Sequence, residues 1–340
     1  MKKIGGFFEL EKNSIFSRVK TDSMFNNWLD ERDHFSFSNA RSAILALLHA
    51  FNAKKLWLPE IFCDIFSNQI NTSFYLLNKS SFIPDFEFLK NHVKTNEIVV
   101  VPDYFGIEPS VEFINFTAEQ NQIHWVQDAT HNLKPRQYWG DFTIFSPRKL
   151  VGVLDGGILV QNNLDKKLNT DSRPRIQKSK REIAVAPILR RIDSANIGLK
   201  TWFKLYQLEE NNINLNYNEY REMTNWQLKR IGINYLIETR TKNYRILNDA
   251  LNAIKVKELE FGENVSPFGF PIYINDRDEV QKKLSRDGIY AAVHWRTSTP
   301  PATKRQEMHG NMQLTLPCDQ RYNEQDMLRV VKAIKKYVAL

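Results

Sequence analysis

Two cysteines, Cys63 and Cys318, are all that the 340 residues contain. They lie too far apart in sequence to read as a disulfide framework or as the paired spacing of a zinc site, and no metal centre is expected. No run of about 18 apolar residues exists to span a membrane. The amino terminus, Met1-Lys2-Lys3 and then Gly5-Gly6-Phe7-Phe8-Glu9, lacks the apolar stretch of a secretion signal. These absences point to a cytoplasmic protein, in which the sequons at Asn71, Asn78 and Asn115 carry no glycosylation. Internal repeats and low-complexity tracts are missing as well. What remains is an ordinary globular composition, 42% hydrophobic and 25% charged. The length suits two lobes around a shared cleft, with a core that needs no covalent staple.

The net charge of +8 is uneven. Lys166, Lys167, Arg173, Arg175, Lys178, Lys180, Arg181, Arg190 and Arg191 concentrate much of it in one stretch. Such a cluster attracts phosphate-bearing ligands or nucleic acid. Aromatic residues are absent from the run and no nucleic-acid motif accompanies it, so a solvated loop and helix face is the simpler reading. Nucleic acid is not an expected partner, and an anionic small substrate fits the charge as well as a duplex does.

Apolar runs alternate with amphipathic segments through the first half. Helical spacing covers Arg41–Phe51, Ile61–Ile70, Asp85–Val93 and Ser110–Asn121. Short strand-like runs are Leu56–Pro59, Ser73–Leu77, Ile98–Pro102, Ile123–Val126, Phe142–Phe145 and Ile158–Val160, the last two without a helix between them. Nearly all-apolar strands separated by helices predict an α/β fold with a mostly parallel, doubly wound sheet covered on both faces. Residues 162–182 are polar and basic, and helical segments follow to about residue 254. Strand-like Pro271–Ile274, Ile289–Trp295 and Met312–Leu316, with helices over Asp278–Arg286 and Asn323–Tyr337, predict a smaller C-terminal α+β domain. The expected division is an N-terminal segment 1–34, a large domain 35–210, and connecting helices with a small domain over 211–340.

Two strand ends carry chemistry. Ile123–Val126 runs into Gln127-Asp128-Ala129-Thr130-His131, and Phe142–Phe145 runs into Ser146-Pro147-Arg148-Lys149. Loops leaving the C-terminal ends of a doubly wound sheet share one edge, where ligands bind. Asp128 and Lys149 therefore meet across a single pocket. An amine and a carboxylate facing one pocket suit pyridoxal 5'-phosphate (PLP): the lysine joins the cofactor, and the carboxylate keeps the pyridine nitrogen protonated. Each residue alone has an ordinary reading, Asp128 as a turn cap, Lys149 as a solvated charge, His131 as a packed histidine. Their order along the chain, followed by Asp155-Gly156-Gly157 before the next strand, is what raises them together.

Val126–His131 resembles an "E-D-A-A-Q/H" segment, and Phe145–Gly152 with the following glycine pair resembles a lysine loop; both belong to the DegT–DnrJ–StrS family, sugar aminotransferases of fold type I. Asn39–Ile44 resembles its phosphate-binding helix start, Leu58–Cys63 its "P-x-Y-T-C" turn, and Asp103-Tyr104-Phe105-Gly106 its "H-x-Y-G" segment. Gly288–Trp295, Leu316-Pro317 and Asn323–Asp326 resemble its C-terminal lobe, so that the similarity covers most of residues 35–340. The resemblance implies Lys149 as the Schiff-base lysine and Asp128 on the ring nitrogen. It implies His131 near the ring oxygen, Arg41, Ser42 and Ser146 near the phosphate, and Phe62 or Cys63 against the ring face. His294 and Arg148 are expected at the substrate. The implied activity is transfer of an amino group from glutamate to a keto group on a nucleotide-linked sugar, in surface polysaccharide biosynthesis, by a homodimer. Tyr217, Arg221 and Asn225 lie where a partner subunit's contribution is expected.

The family's Gly-Thr at the phosphate helix is replaced here by Ala40-Arg41, and the serine stands three rather than five residues ahead of the lysine. Lys149 argues against the family's dehydratases, in which histidine takes that place. The altered turn leaves open a member that acts on another keto substrate, or one that has lost transamination and serves as a scaffold or regulator. Nucleic-acid binding through residues 166–191 ranks last.

Overall fold

The computed structural model describes residues 2–11, 13–63, 70–168, 177–178, 185–193, 201–211, 218–219, 222–259, 261–262, 265–296 and 303–338. Part of the helix expected over Ile61–Ile70 lies outside these residues, as do Arg173, Arg175, Lys180, Arg181, Tyr217 and Arg221.

The chain opens with β1 (Ile4–Gly5), α1 (Asn13–Phe16), α2 (Met24–Leu29) and β2 (His34–Phe37). Then come α3 (Ala40–Ala50), β3 (Leu56–Pro59), β4 (Thr72–Tyr75), α4 (Phe86–His92), β5 (Ile98–Pro102) and α5 (Val111–Glu119). Next are β6 (His124–Asp128), β7 (Phe142–Phe145), α6 (Pro147–Leu150) and β8 (Gly157–Gln161). A seven-stranded sheet runs β2-β8-β7-β6-β5-β3-β4. The pairs β3–β4, β3–β5, β5–β6 and β6–β7 are parallel, while β8 runs antiparallel to both its neighbours. The prediction of a mostly parallel sheet therefore holds, with β8 reversed. Strands β5 to β8 are buried along their whole length because apolar layers cover both faces. Leu58, Val100, Val126 and Ile144 pack under α3 on one face. Trp57, Val99, Val101 and Trp125 face the opposite layer with α4 and α5, where Phe145 and Val160 continue it against Trp28 of α2. Trp28 stacks on Phe145 at 4.5 Å.

Helices α7 (Ala186–Asp193), α8 (Thr201–Asn211), α9 (Glu222–Leu228) and α10 (Ile233–Leu251) follow, with a short parallel pair between β9 (Gln177–Lys178) and β10 (Asn218–Glu219). The last part holds β11 (Phe270–Tyr273), α11 (Arg277–Arg286), β12 (Ile289–Tyr290), α12 (Lys304–Met312), β13 (Gln313–Leu316) and α13 (Glu324–Tyr337). Antiparallel β11 and β13 share a second core with Leu247 of α10, Leu284 of α11 and Val330 of α13. Asn323 caps α13 in a reciprocal capping box with Asp326, as its sequence indicates.

Several elements differ from the sequence expectation. A turn of helix, α6, does stand between β7 and β8, because Pro147 at its first position fixes a helical φ. The strand expected over Ile289–Trp295 forms a ladder at Ile289–Tyr290, where it takes β1 as a parallel partner, and is continued only by an isolated antiparallel bridge from Ala292 to Thr315. β2, α2 and α12 were not foreseen.

That pairing sets the course of the amino-terminal segment. From β1, residues 6–11 cross the molecule to reach Gly152, whose carbonyl accepts the Glu11 N–H at 2.8 Å. The Leu10 N–H donates to Pro187 O at the start of α7. Gly152 has no room for a side chain, since a Cβ would fall 1.7 Å from Glu9 O. Arg321, paired with Asp319 at 2.8 Å, donates to the Gly6 and Phe7 carbonyls and ties the strap to the C-terminal core.

Candidate active site

The register puts the ends of β5, β6 and β7 side by side: Pro102 is opposite Asp128, and Asp128 is opposite Ile144. Side chains leaving this edge line a cavity of about 1060 Å³, floored by Asp128, Thr130, Ser146 and Lys149 and walled by the amino-terminal strap and the C-terminal core. Asp128 is the last residue of β6 and 7% exposed. Its Oδ1 accepts the Thr130 N–H at 3.0 Å. Lys149, on α6, donates from Nζ to Thr130 Oγ1 at 3.0 Å. One threonine thus holds the carboxylate through its backbone and the amine through its hydroxyl.

Behind Asp128 sits a second, fully buried carboxyl. The Asp103 N–H donates to Asp128 O at 2.9 Å. Asp103 Oδ2 accepts amide hydrogens from Gln127 (3.0 Å) and Asn132 (2.9 Å). Burial, and then the charge of Glu108, hold its pKa well above the usual carboxylate range, and its two amide hydrogen bonds fasten it behind Asp128.

His131 is buried and stacked between Phe268 (centroids 3.8 Å, 3°) and Trp295 (5.4 Å, 12°). Burial, and then the charges of Lys149 and His294, push its pKa well below the ordinary value, leaving a neutral ring. Phe62 and Cys63, just after β3, also line the cavity. Burial raises the Cys63 thiol to about 12, which makes it a packing group and not a nucleophile.

At the anion end, Arg41, Arg148 and Ser146 line the cavity. Ser146 precedes α6 and makes no side-chain cap bond, so its hydroxyl is not committed to that helix. Ser42 is placed differently. Its N–H and hydroxyl both bond Asn39 Oδ1, at 3.0 and 3.3 Å, and Asn39 and Ala40 line the cavity in its stead. Ser42, expected at the phosphate, does not itself line the cavity, because Asn39 as helix cap takes its N–H and hydroxyl. His294 reaches the cavity from the C-terminal core.

The structure therefore brings together Lys149, Asp128, His131, Ser146 and Arg41, with Phe62, Cys63, Arg148 and His294 around them. Asn225 is described, on α9, and does not line this cavity. Sequence reasoning gave no role to Thr130 or Phe268. Thr130 is detectable only as the polar residue between Asp128 and His131, and Phe268 carries no signal in its loop.

The Lys149 turn is fixed from behind. The Leu150 carbonyl accepts from Arg240 (2.7 Å) and from Gln320 Nε2 (3.0 Å). Arg240 is 1% exposed and also donates to Gln320 Oε1, Pro267 O and Phe268 O. One guanidinium thus links the lysine turn to the residue stacked on His131.

No protein-family model and no curated protein matches this chain. Solved structures do. A DegT/DnrJ/EryC1/StrS aminotransferase from Brucella abortus superposes with a TM-score of 0.66 at 16% identity, covering 93% of this chain and 88% of that one. The chain has the fold of these aminotransferases. DesI, solved in the presence of its TDP-sugar product, gives 0.67 at 13% identity over 99% of this chain and 93% of its own. NtdA from Bacillus subtilis, with bound cofactor PMP, gives 0.63 at 13% identity over 94% and 78%.

Proposed function

We propose that the protein is a PLP-dependent aminotransferase that moves an amino group from glutamate to a keto group of a nucleotide-linked sugar. The observation that carries this reading is the chain Lys149 Nζ to Thr130 Oγ1 and Thr130 N–H to Asp128 Oδ1, all on the floor of one cavity.

The residues fit the cofactor by the chemistry of their donors and acceptors. An amine, a buried carboxylate and an uncommitted Ser146 hydroxyl converge with Arg41 at the start of α3. Lys149 would hold the cofactor's aldehyde carbon, Asp128 its ring nitrogen, and Ser146 with Arg41 its phosphate. When bound, the cofactor supplies an electron sink conjugated to the amine-bearing carbon. Lys149 Nζ is the base within reach that takes a proton from that carbon and returns it. Asp128 keeps a positive charge favourable at the ring nitrogen. His131, Phe268 and Trp295 make an uncharged wall that excludes water. The TDP-sugar product reported for DesI and the PMP reported for NtdA support the substrate and cofactor classes.

A homodimer belongs to the same proposal. Ile188 and Ile192 on α7, and Phe203 and Leu208 on α8, are exposed apolar residues beside the cavity's helices, and they support it. Cytoplasmic location and a role in surface polysaccharide biosynthesis are proposed with it; among the described residues no helix is long and apolar enough to cross a membrane. The withdrawn Ser42 favours a second reading, a lapsed or retargeted relative with a weaker hold on phosphate.

The test is spectroscopic. Purified protein given PLP should show the visible band of a lysine-bound cofactor, glutamate should bleach it, and Lys149→Ala should abolish it. A band unaffected by Lys149→Ala removes the proposal, and a band that glutamate leaves intact selects the second reading.

A further inference from the structure

His294 enters the cavity as the end of a network whose hydrogens can be assigned one by one. Its N–H donates to Gln313 Oε1 at 2.7 Å. That fixes the Gln313 amide, whose Nε2 must then be the donor to Thr315 Oγ1, at 2.7 Å. Among the described residues His294 Nδ1, at 2.8 Å, is the acceptor available for the Thr315 hydroxyl proton, which we assign to that bond. A ring accepting at Nδ1 carries its proton on Nε2.

The carbonyl of His294 is held as well. It accepts from His309 Nε2 at 2.6 Å, and a carbonyl can only accept. His309 is therefore the Nε2–H tautomer, and Tyr273 donates its hydroxyl to His309 Nδ1 at 2.8 Å. His309 is fully buried on α12, and Tyr273 ends β11. Every polar atom of His294 except Nε2 thus has an assigned partner, and His294 shares the cavity with Lys149 and stands 5.4 Å from the His131 ring.

We propose that Gln313 and Thr315 hold His294 as a neutral Nε2–H donor in the cavity it shares with Lys149, that Tyr273 and His309 clamp its backbone in place, and that this donor serves a hydroxyl or keto oxygen of the substrate and not its phosphates. His309 and Tyr273 are positioning residues, and only His294 touches the ligand. The titratable groups around His294 are Lys149 from α6, His131 from the end of β6 and His309 from α12. Burial, then Lys149 and His309, lower its pKa to about 3, so it offers a phosphate no charge. The substrate half of the proposal rests on the aminotransferase reading above, whereas the clamp does not.

Nitrogen-15 NMR of histidine-labelled protein without cofactor tests the clamp. His294 should appear as the Nε2–H tautomer and should not titrate between pH 5.5 and pH 8. Thr315→Val, which removes the donor to His294 Nδ1 and keeps the packing, should give mixed His294 tautomers, and Tyr273→Phe should do the same to His309. A His294 that titrates near its ordinary value, or that carries its proton on Nδ1, overturns the clamp whatever the cofactor does. The selectivity is read by calorimetry on cofactor-loaded protein with dTDP-glucose and with inorganic phosphate as probes. His294→Leu should weaken dTDP-glucose about tenfold, the loss of one neutral hydrogen bond, and leave phosphate binding unchanged. Equal loss for both probes, or for neither, overturns the selectivity. Absence of a lysine-bound cofactor band would instead count against the aminotransferase reading alone.

Discussion

Thr130 is the residue through which the amine and the carboxylate of the floor feel each other. Thr130→Val keeps the shape and the N–H bond to Asp128 but removes the acceptor for Lys149 Nζ. Cofactor should still bind, and turnover with glutamate should fall about tenfold, as for one lost hydrogen bond to a charged group; stopped-flow bleaching of the cofactor band measures it. The two serines near the anion end should behave unequally. Ser146→Ala should weaken cofactor retention about tenfold, while Ser42→Ala should change it less than about twofold and instead lower thermal stability slightly, because Ser42 serves the helix start. Equilibrium dialysis of the cofactor against both variants distinguishes them. At this scale the meeting of Asp128 and Lys149 at one sheet edge was legible in the sequence, because each ends or follows a short buried strand. The bond between Asn39 and Ser42 was not legible, because a capping partner is visible in sequence only when the helix start is known to a single residue.

Arg240 does for whole elements what Thr130 does for two side chains. It joins α10, the lysine turn, the Phe268 loop and Gln320. Arg240→Met should cost about 2–4 kcal/mol, since buried carbonyls lose their donor while only Leu150 O keeps another. Urea unfolding at constant m-value reads the loss. The elements that sequence reasoning recovered are those whose pattern is extreme. β5 to β8 are apolar on both faces, and α3 and α13 have strong caps. The elements it missed lack such signals. α2 has two asparagines in six residues, and α12 is polar nearly throughout with Gly310 near its end. β2 is held by its antiparallel pairing with β8 and not by composition. β12 is shorter than its apolar run because Ala291 onward turns to serve the cavity.

Across the whole molecule, several buried histidines bind protons more weakly when folded than when unfolded. Burial lowers His294 to about 3 and His309 to about 4, and lowers His131 well below its ordinary value. The unfolded chain, with histidines near 6.5, takes up these protons first. Their stabilising contribution is therefore full above that value and is lost as pH falls through it. His294 and His309 should each cost about 2 kcal/mol between pH 7.5 and pH 5, with His131 acting in the same direction. Asp103, raised by burial, has the opposite sign and offsets part of one of them. The urea midpoint should fall over this range, and His309→Gln should flatten the slope by roughly one histidine's share. An unchanged midpoint would mean that these rings are hydrated in solution.

Ile4 and Gly5 lie beside Ile289 and Tyr290, so β1 has no strand partner until β12, far later in the chain, has been translated. Phe7 and Phe8, which wall the cavity, hang from that late pairing. On the ribosome the sheet with Asp128 and Lys149 can form first, as an open shelf. The binding chamber becomes enclosed only when β12 arrives to anchor β1, which makes closure of the pocket a report that the C-terminal core has been made.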